Sequence, residues 1–344
     1  MVKVRNYVSP AHDQVRAHLA DLVTTGMAPH VCAQLRGLFM PGPDAWELPH
    51  LAAAGILGTQ MTGVEWNSAH GSYMRQRAYP FPIIETSLEE YVLRRPQHAP
   101  FDFILLDFDG GYQRFANDIV GCVQLLGAPI HPTTFSVTYH LGRDELPLVQ
   151  AASLGYGMLM QLVGEAEALT AHDLIVQELR RIPFGRTHVE RMHRALRELA
   201  LVALFFEGLV RSATTPGARA CAVAWSAAAT EMRRRIADEP LRAYRGNLPF
   251  PRMPHIPEFH NAVDACYLPR WVDTWFRCTF TSPPIVRMQT LAMRLENAPG
   301  GRVVRPLRAV VRAALRDLLM TPTHVFDVAG NAPIPLRCRL CDVQ

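Results

Sequence analysis

Lysine is all but absent. Lys3 is the only one in 344 residues, so every later basic side chain is an arginine or a histidine. That excludes chemistry requiring a lysine anywhere past the first residues. Arginine is the better bidentate phosphate ligand, but an alanine- and arginine-rich chain is also what a GC-rich genome encodes. No apolar run approaches the roughly 20 residues that span a bilayer. The longest, LALVALFFEGLV, is interrupted by Glu207 and reads as a buried helix. Met1–Tyr7 lacks the apolar stretch of a secretion signal, and the seven cysteines are odd in number. Both features point to free thiols in a reducing cytoplasm. The CRLC run at Cys338–Cys341 has metal-ligand spacing, but no second pair stands nearby to complete four ligands, so it reads as unpaired thiols. Charge is sparse too: 19% of residues, with a net +4 too mild to imply a nucleic-acid partner. No internal repeat is visible.

What is present is apolar residues, at 49%, enough for the core of one large domain or two modest ones. Ser9 and Pro10 open a helix in which Val15, Leu19 and Leu22 share a face. Five short apolar runs follow, LRGLFM, MTGVEW, FPIIETS, FDFILLDFD and TTFSVTYHL, each separated from the next by a helical stretch. One of these, Asp44 to Gly55, contains Pro49, which should kink or shorten it. Another is expected over YQRFANDIVGCVQLLG. Alternation of this kind specifies a parallel sheet covered on both faces, and near-continuous apolar strands suit it. From about Asp144 the pattern changes to long helices. A Pro-rich linker, two extended segments around Ser282–Pro284 that read as a hairpin, a basic helix and a Pro-rich tail close the chain. The expected organisation is an N-terminal helical segment (1–34), a Rossmann-like core (35–143), a helical insertion (144–250), a hairpin completing the sheet (251–300), and a C-terminal helix and tail (301–344).

The densest chemistry is FDFILLDFDGGY, where a strand ends in Asp107 and Asp109 on a glycine turn. Its LLDFDGGY resembles the first motif of haloacid-dehalogenase-type phosphatases, which implies a phosphoryl-accepting aspartate, a second acid and Mg²⁺. That resemblance covers about eight residues. Gly111 stands where that family has threonine, no lysine follows Lys3 to balance phosphate charge, and no later acidic pair completes a magnesium site. The motif also ends the fourth strand here rather than the first.

The strand ends taken together support another reading, because ligands of open parallel sheets bind beyond the carboxyl ends of the strands. The first strand ends in MPGPD, the second in GVEW, the third in IIETS and the fourth in LDFDGGY. This succession resembles the class I, Rossmann-like S-adenosylmethionine-dependent methyltransferases over residues 35–141. The hairpin at 272–296 would supply the sixth and the antiparallel seventh strand. The resemblance implies an open, mostly parallel sheet with an antiparallel edge hairpin and a large helical insertion, and S-adenosylmethionine as cofactor. It places Pro41 and Gly42 under the cofactor's amino-acid end, Glu65 on the ribose, Thr86 and Ser87 beside the adenine, and Asp107 at the start of the motif after the fourth strand. Asp109 or Tyr112 would orient the nucleophile, and the helical insertion would wall the substrate site. The first loop departs from the family's G-x-G-x-G: its prolines remove backbone N–H donors that would cradle the cofactor.

Each residue also has a plainer reading. Glu65 could cap the next helix, Asp107 and Asp109 could form a turn, and Tyr112 could be packing. His140, after the fifth strand, is left out of the catalytic set, since a lone histidine is more often structural. The arginines of RRIPFGR, RMHR and EMRRR are interleaved with acids and suit a solvated helix face as well as phosphates. The expected function is methyl transfer to an amine or hydroxyl, with nucleic acid among the candidate acceptors and no membrane association. The alternative is a non-enzymatic nucleic-acid- or protein-binding module on a degenerate methyltransferase fold, with the phosphatase reading third.

Overall fold

The structure, a computed structural model, describes residues 9–94, 100–127, 131–141, 146–164, 188–238, 256–282, 286–297, 303–326 and 334–336. In chain order it runs α1 (Pro10–Thr24), α2 (Pro29–Cys32), β1 (Gly37–Phe39), α3 (Leu48–Ala53), β2 (Met61–Glu65), α4 (Ser68–Gln76), β3 (Ile83–Glu85), α5 (Leu88–Leu93), β4 (Phe103–Asp107), α6 (Ala116–Gln124) and β5 (Thr133–His140). Then come α7 (Leu146–Val163), α8 (His188–Ser212), α9 (Ala218–Asp238), α10 (Pro257–Asp264), β6 (Tyr267–Leu268), β7 (Arg270–Ser282), β8 (Val286–Asn297), β9 (Arg305–Pro306), α11 (Leu307–Met320), β10 (Thr323–Phe326) and β11 (Ile334–Leu336). The cysteine pair at 338 and 341 and the RRIPFGR run lie outside the described residues.

The chain divides into two compact units. Met1–Gly142, Val272–Asn297 and Thr321–Gln344 form the first. It holds a nine-stranded sheet in the order β11-β10-β7-β8-β5-β4-β1-β2-β3. β1 pairs parallel with β2 on one side and with β4 on the other, and β4 pairs parallel with β5. β8 then runs antiparallel to β5, from Thr133↔Leu295 to His140↔Met288. The alternating segments thus form the parallel sheet they specify. The hairpin follows β5 as expected, and beyond it β10, parallel to β7, and β11 extend the sheet further than the sequence reading foresaw.

Local chemistry explains the element ends. Ser9 caps α1 by accepting the His12 N–H at 3.1 Å, and Pro10 follows where no intrahelical N–H is needed. The helix expected over Asp44–Gly55 is cut to Leu48–Ala53, because Pro49 is tolerated only in the first turn. The residues ahead of it form a turn in which the buried Ala45 takes a left-handed φ of 46°. The helix expected from Tyr112 begins at Ala116, after one 3-10 turn.

α1 lies on the sheet. Its Ala11, Val15, Leu19 and Leu22 pack with Cys278, Phe280, Met288, Ala292 and Phe326. A second cluster joins Phe39, Phe103 and Leu105 to Leu51, Met74 and Phe81. β1 approaches β4 closely at Gly37, where a Cβ would sit 2.0 Å from the Phe103 ring.

The second unit comprises Arg143–Trp271 and Ala298–Met320. Its helices α7 to α11 enclose an apolar core, with Trp225 edge-on to Phe259 at 5.6 Å. The LALVALFFEGLV run is the buried face of α8. Arginines of the basic helix α11 close the end of α7: Arg308 donates to the Leu162 carbonyl at 2.9 Å and Arg312 to that of Val163 at 2.8 Å. Among the described residues no helix is long and apolar enough to cross a membrane.

Gly37→Ala is expected to destabilise the protein by about 1–3 kcal/mol, the usual cost of overpacking a core. Equilibrium urea denaturation measures it. In a Phe103→Leu background the same change should cost less, because the ring that the new methyl meets is gone.

Candidate functional site

The strand order reverses between β1 and β4, and an open cleft of about 360 Å³ lies beyond their carboxyl ends. This is where an open α/β sheet leaves room for a ligand. Met40 to Asp44, Trp46 and Glu47 reach the cleft from the turn after β1, Glu65 to Asn67 and His70 from the end of β2 and the start of α4, Asp107 to Asp109 from the end of β4, and His140 from the end of β5. α1 adds His12 and Arg16, one helical turn apart.

Backbone pairing fixes the acids of the β4 turn. The Phe108 N–H donates to the Thr138 carbonyl and the His140 N–H to the Gly110 carbonyl, both at 2.9 Å, continuing the β4–β5 ladder past the strand end. Phe108 is buried and stacks on Phe115 at 4.3 Å. Asp107 and Asp109 therefore stand on a braced turn.

Five carboxylates (Asp44, Glu47, Glu65, Asp107 and Asp109) line the cleft against one arginine and three histidines. Most have a basic neighbour within reach. Asp107 Oδ2 lies 3.4 Å from His12 Nε2, Asp109 Oδ1 3.3 Å from His140 Nε2, and Asp44 Oδ1 3.3 Å from Arg77 Nη1. Arg16 Nε donates to Glu47 Oε1 at 3.0 Å, both side chains being almost buried. Burial alone would raise the Asp107 pKa. The hydrogen bond from His12 and the charges of His12, Arg16 and His140 outweigh that and hold it below the ordinary carboxylate value. At Glu47 burial wins over the opposing Arg16 charge, and its pKa is raised.

Glu65 is buried at the end of β2. Its Oε1 accepts the Asn67 N–H at 2.7 Å, while Oε2 lies 3.7 Å from His70 Nδ1. The capping of α4 itself falls to Asn67, whose side chain accepts from Ala69 and His70. Trp66 follows Glu65 on the cleft wall and is 74% exposed.

The structure thus brings together Pro41, Gly42, Glu65, Asp107 and Asp109, with Gly42 at a left-handed φ of 54°. It does not bring in Thr86, Ser87 or Tyr112. Ser87 is the N-cap of α5, accepting the Glu90 N–H, and buried Thr86 donates to Glu90 Oε2 at 2.5 Å, so both serve that helix start. Tyr112 is 1% exposed and packs edge-on against Tyr139 at 4.9 Å. Its assignment to the nucleophile is therefore corrected to packing. The cleft also holds His140, which the sequence reading left out of the catalytic set, and residues that it passed over: His12, Arg16, Glu47 and Trp66. A histidine and an arginine inside the apolar stripe of α1 were the available signal for the first two.

No protein-family model matches the chain, and no curated protein sequence matches it. Solved structures resemble it distantly. An O-methyltransferase from Bacillus cereus, solved in complex with SAH, is 10% identical over 84% of each chain, with a TM-score of 0.36. A putative zinc-dependent alcohol dehydrogenase from Rhodobacter sphaeroides is 12% identical over 86% of this chain and 99% of that one, with a TM-score of 0.31. The fibrillarin/Nop5p complex gives 11% identity over 38% of this chain, which spans 60% of that protein, and a TM-score of 0.28. Likeness of this degree carries no argument about activity. The fold rests on the strand order itself: parallel β3-β2-β1-β4-β5, then β8 antiparallel to β5 and β7 beyond it, is an open, mostly parallel Rossmann-like sheet.

The lowered pKa of Asp107 makes a signed prediction. A carboxylate whose folded pKa lies below its unfolded value contributes stability above the unfolded value, about 3.9, and loses it as pH falls through the folded one. Asp107→Asn should therefore melt below wild type at pH 7, with the gap closing as pH drops below about 4. Paired thermal melts across pH 3–7 check it; a gap independent of pH would remove Asp107 from the electrostatic account.

Proposed function

We propose that the chain is an S-adenosylmethionine-dependent methyltransferase acting on an amine or hydroxyl. One observation carries this reading: an acidic cleft at the reversal of strand order, with a buried carboxylate, Glu65, at the end of β2. Five carboxylates against one arginine favour a cationic ligand, and a sulfonium is one. The donor set fits the group as well. Glu65 Oε2 lies beyond hydrogen-bond distance of His70 and can accept from a ribose hydroxyl. The exposed Trp66 ring offers an apolar face to a purine, the role that Thr86 and Ser87 were expected to fill.

S-adenosylmethionine, when bound, supplies an electrophilic methyl group. The chain's part is to hold and align. Asp107, paired with His12, would supply the negative charge that favours the sulfonium. Asp109 would orient the acceptor, and His140, 3.3 Å from it, would take up the proton that the acceptor loses on methylation.

The turn Pro41-Gly42-Pro43 favours a second reading, a non-enzymatic binding module on the same fold, since two of its three residues lack an N–H donor. The arginine-bearing helices give it less support, because Arg211 pairs with Glu207 and Arg234 with Glu231 along their own helices.

Titration calorimetry with S-adenosylmethionine and S-adenosylhomocysteine separates the two. Wild type is expected to bind both, and Glu65→Ala to weaken both by about 1.5–3 kcal/mol, or about 10- to 150-fold. Asp107→Asn should weaken S-adenosylmethionine more, since only it carries the sulfonium charge. Binding of neither ligand by wild type would leave the binding-module reading standing. Magnesium-dependent hydrolysis of p-nitrophenyl phosphate is expected to be absent; turnover abolished by Asp107→Asn would reinstate the phosphatase reading.

A further inference from the structure

The amino-acid end of S-adenosylmethionine is a zwitterion, and the proline-bounded turn after β1 has few N–H groups to offer it. Two side chains nearby carry the complementary charges. Arg16, on α1, and Glu47, in the turn before α3, both line the cleft, with side chains 7% and 13% exposed. They share one hydrogen bond, Nε to Oε1 at 3.0 Å. Each also keeps a buried charged atom with no partner: Nη1 of Arg16 and Oε2 of Glu47. Unsatisfied charge at such depth is costly and calls for a ligand or a water.

We propose that Arg16 and Glu47 form a clamp for the amino-acid end of the cofactor. The guanidinium receives the α-carboxylate, the Glu47 carboxylate receives the α-ammonium, and together they replace the N–H donors of the missing glycine-rich loop. This rests on the cofactor reading above. The unlike charges suit a zwitterion better than a simple anion or cation, since either alone would face one repulsive partner. Both residues also border a chamber of about 20 Å³ beneath the cleft, room for a single water. A water there is the competing occupant of the two free atoms.

The test compares S-adenosylhomocysteine with 5′-methylthioadenosine, the same adenosine thioether without the amino-acid chain, by calorimetry on the full chain. Wild type should bind both. Arg16→Met and Glu47→Gln should each weaken S-adenosylhomocysteine by about tenfold or more, as loss of a hydrogen bond to a charged group does, and leave methylthioadenosine within about twofold, below the effect of one such bond. If Arg16→Met fails to fold, Glu47→Gln, which keeps size and shape, decides alone. Equal weakening of both ligands, or no weakening of either, overturns the clamp and leaves the pair to the buried water. Wild type binding neither ligand removes the cofactor reading and the clamp with it.

Discussion

The site depends on the way β1 is shared. It pairs parallel with β2 through Gly37↔Met61 and with β4 through Gly37↔Phe103, so successive crossovers leave it in opposite directions. The two sets of loops diverge at the carboxyl ends and cannot close over the gap between them. Strand contact on both sides of β1 requires the β1–β4 pair to pack tightly, and Gly37 under the Phe103 ring provides that closeness. The same register brings Met40, one residue past β1, beside β4: its N–H donates to the Leu105 carbonyl at 3.3 Å. Pro41 to Glu47 and Asp107 to Asp109 thus start from one fixed line.

α1 turns that gap into a cleft. Its apolar residues bury against β7, β8 and β10, and this burial drives its docking. Its polar residues on the same side, His12 and Arg16, are carried inward with the apolar ones and must find partners there. They find Asp107 and Glu47. Removing one member of such a buried pair typically costs about 3–5 kcal/mol, whereas keeping both contributes little net stability. A hydrophobic pair of the same volume would serve packing as well. The charges are therefore better explained by what they present to the cleft than by what they add to the fold.

Most of the fold was legible because it depends on period and punctuation. Five apolar runs separated by helical stretches determine a parallel sheet whatever their exact ends, and all five became strands. β10 and β11 were not legible, being short segments in a Pro-rich tail with no alternation of their own. The site was legible where it follows from strand ends: Pro41, Gly42, Glu65, Asp107 and Asp109 all reach the cleft because a strand stops beside each. Thr86 and Ser87 also follow a strand, but β3 is the sheet's edge and the hydroxyls there are taken up by the start of α5. Tyr112 was misjudged because the turn after β4 runs on as a 3-10 segment and points the ring inward. His12 and Arg16 come from outside the alternating region, and only the docking of α1 brings them to residues 95 and 31 positions away, a tertiary fact that no local pattern encodes.

Because the helix that docks through its apolar residues also carries His12 and Arg16 into the cleft, ligand binding and α1 docking are linked. A ligand that engages Arg16 and Glu47 binds only the form in which α1 lies on the sheet, so it stabilises that form by mass action. At a concentration one hundred times its dissociation constant the gain is about 2.7 kcal/mol. The linkage is reciprocal: any change that loosens α1, even at Leu22, which packs on the sheet and lines neither the cleft nor the chamber beneath it, must weaken such a ligand as well. The apolar contacts of the first helix are in this sense part of the binding site. If Arg16 and Glu47 hold the ligand as proposed, the cleft can dispense with a rigid glycine-rich loop, because the rigidity comes from a packed helix instead of from backbone N–H groups on a turn.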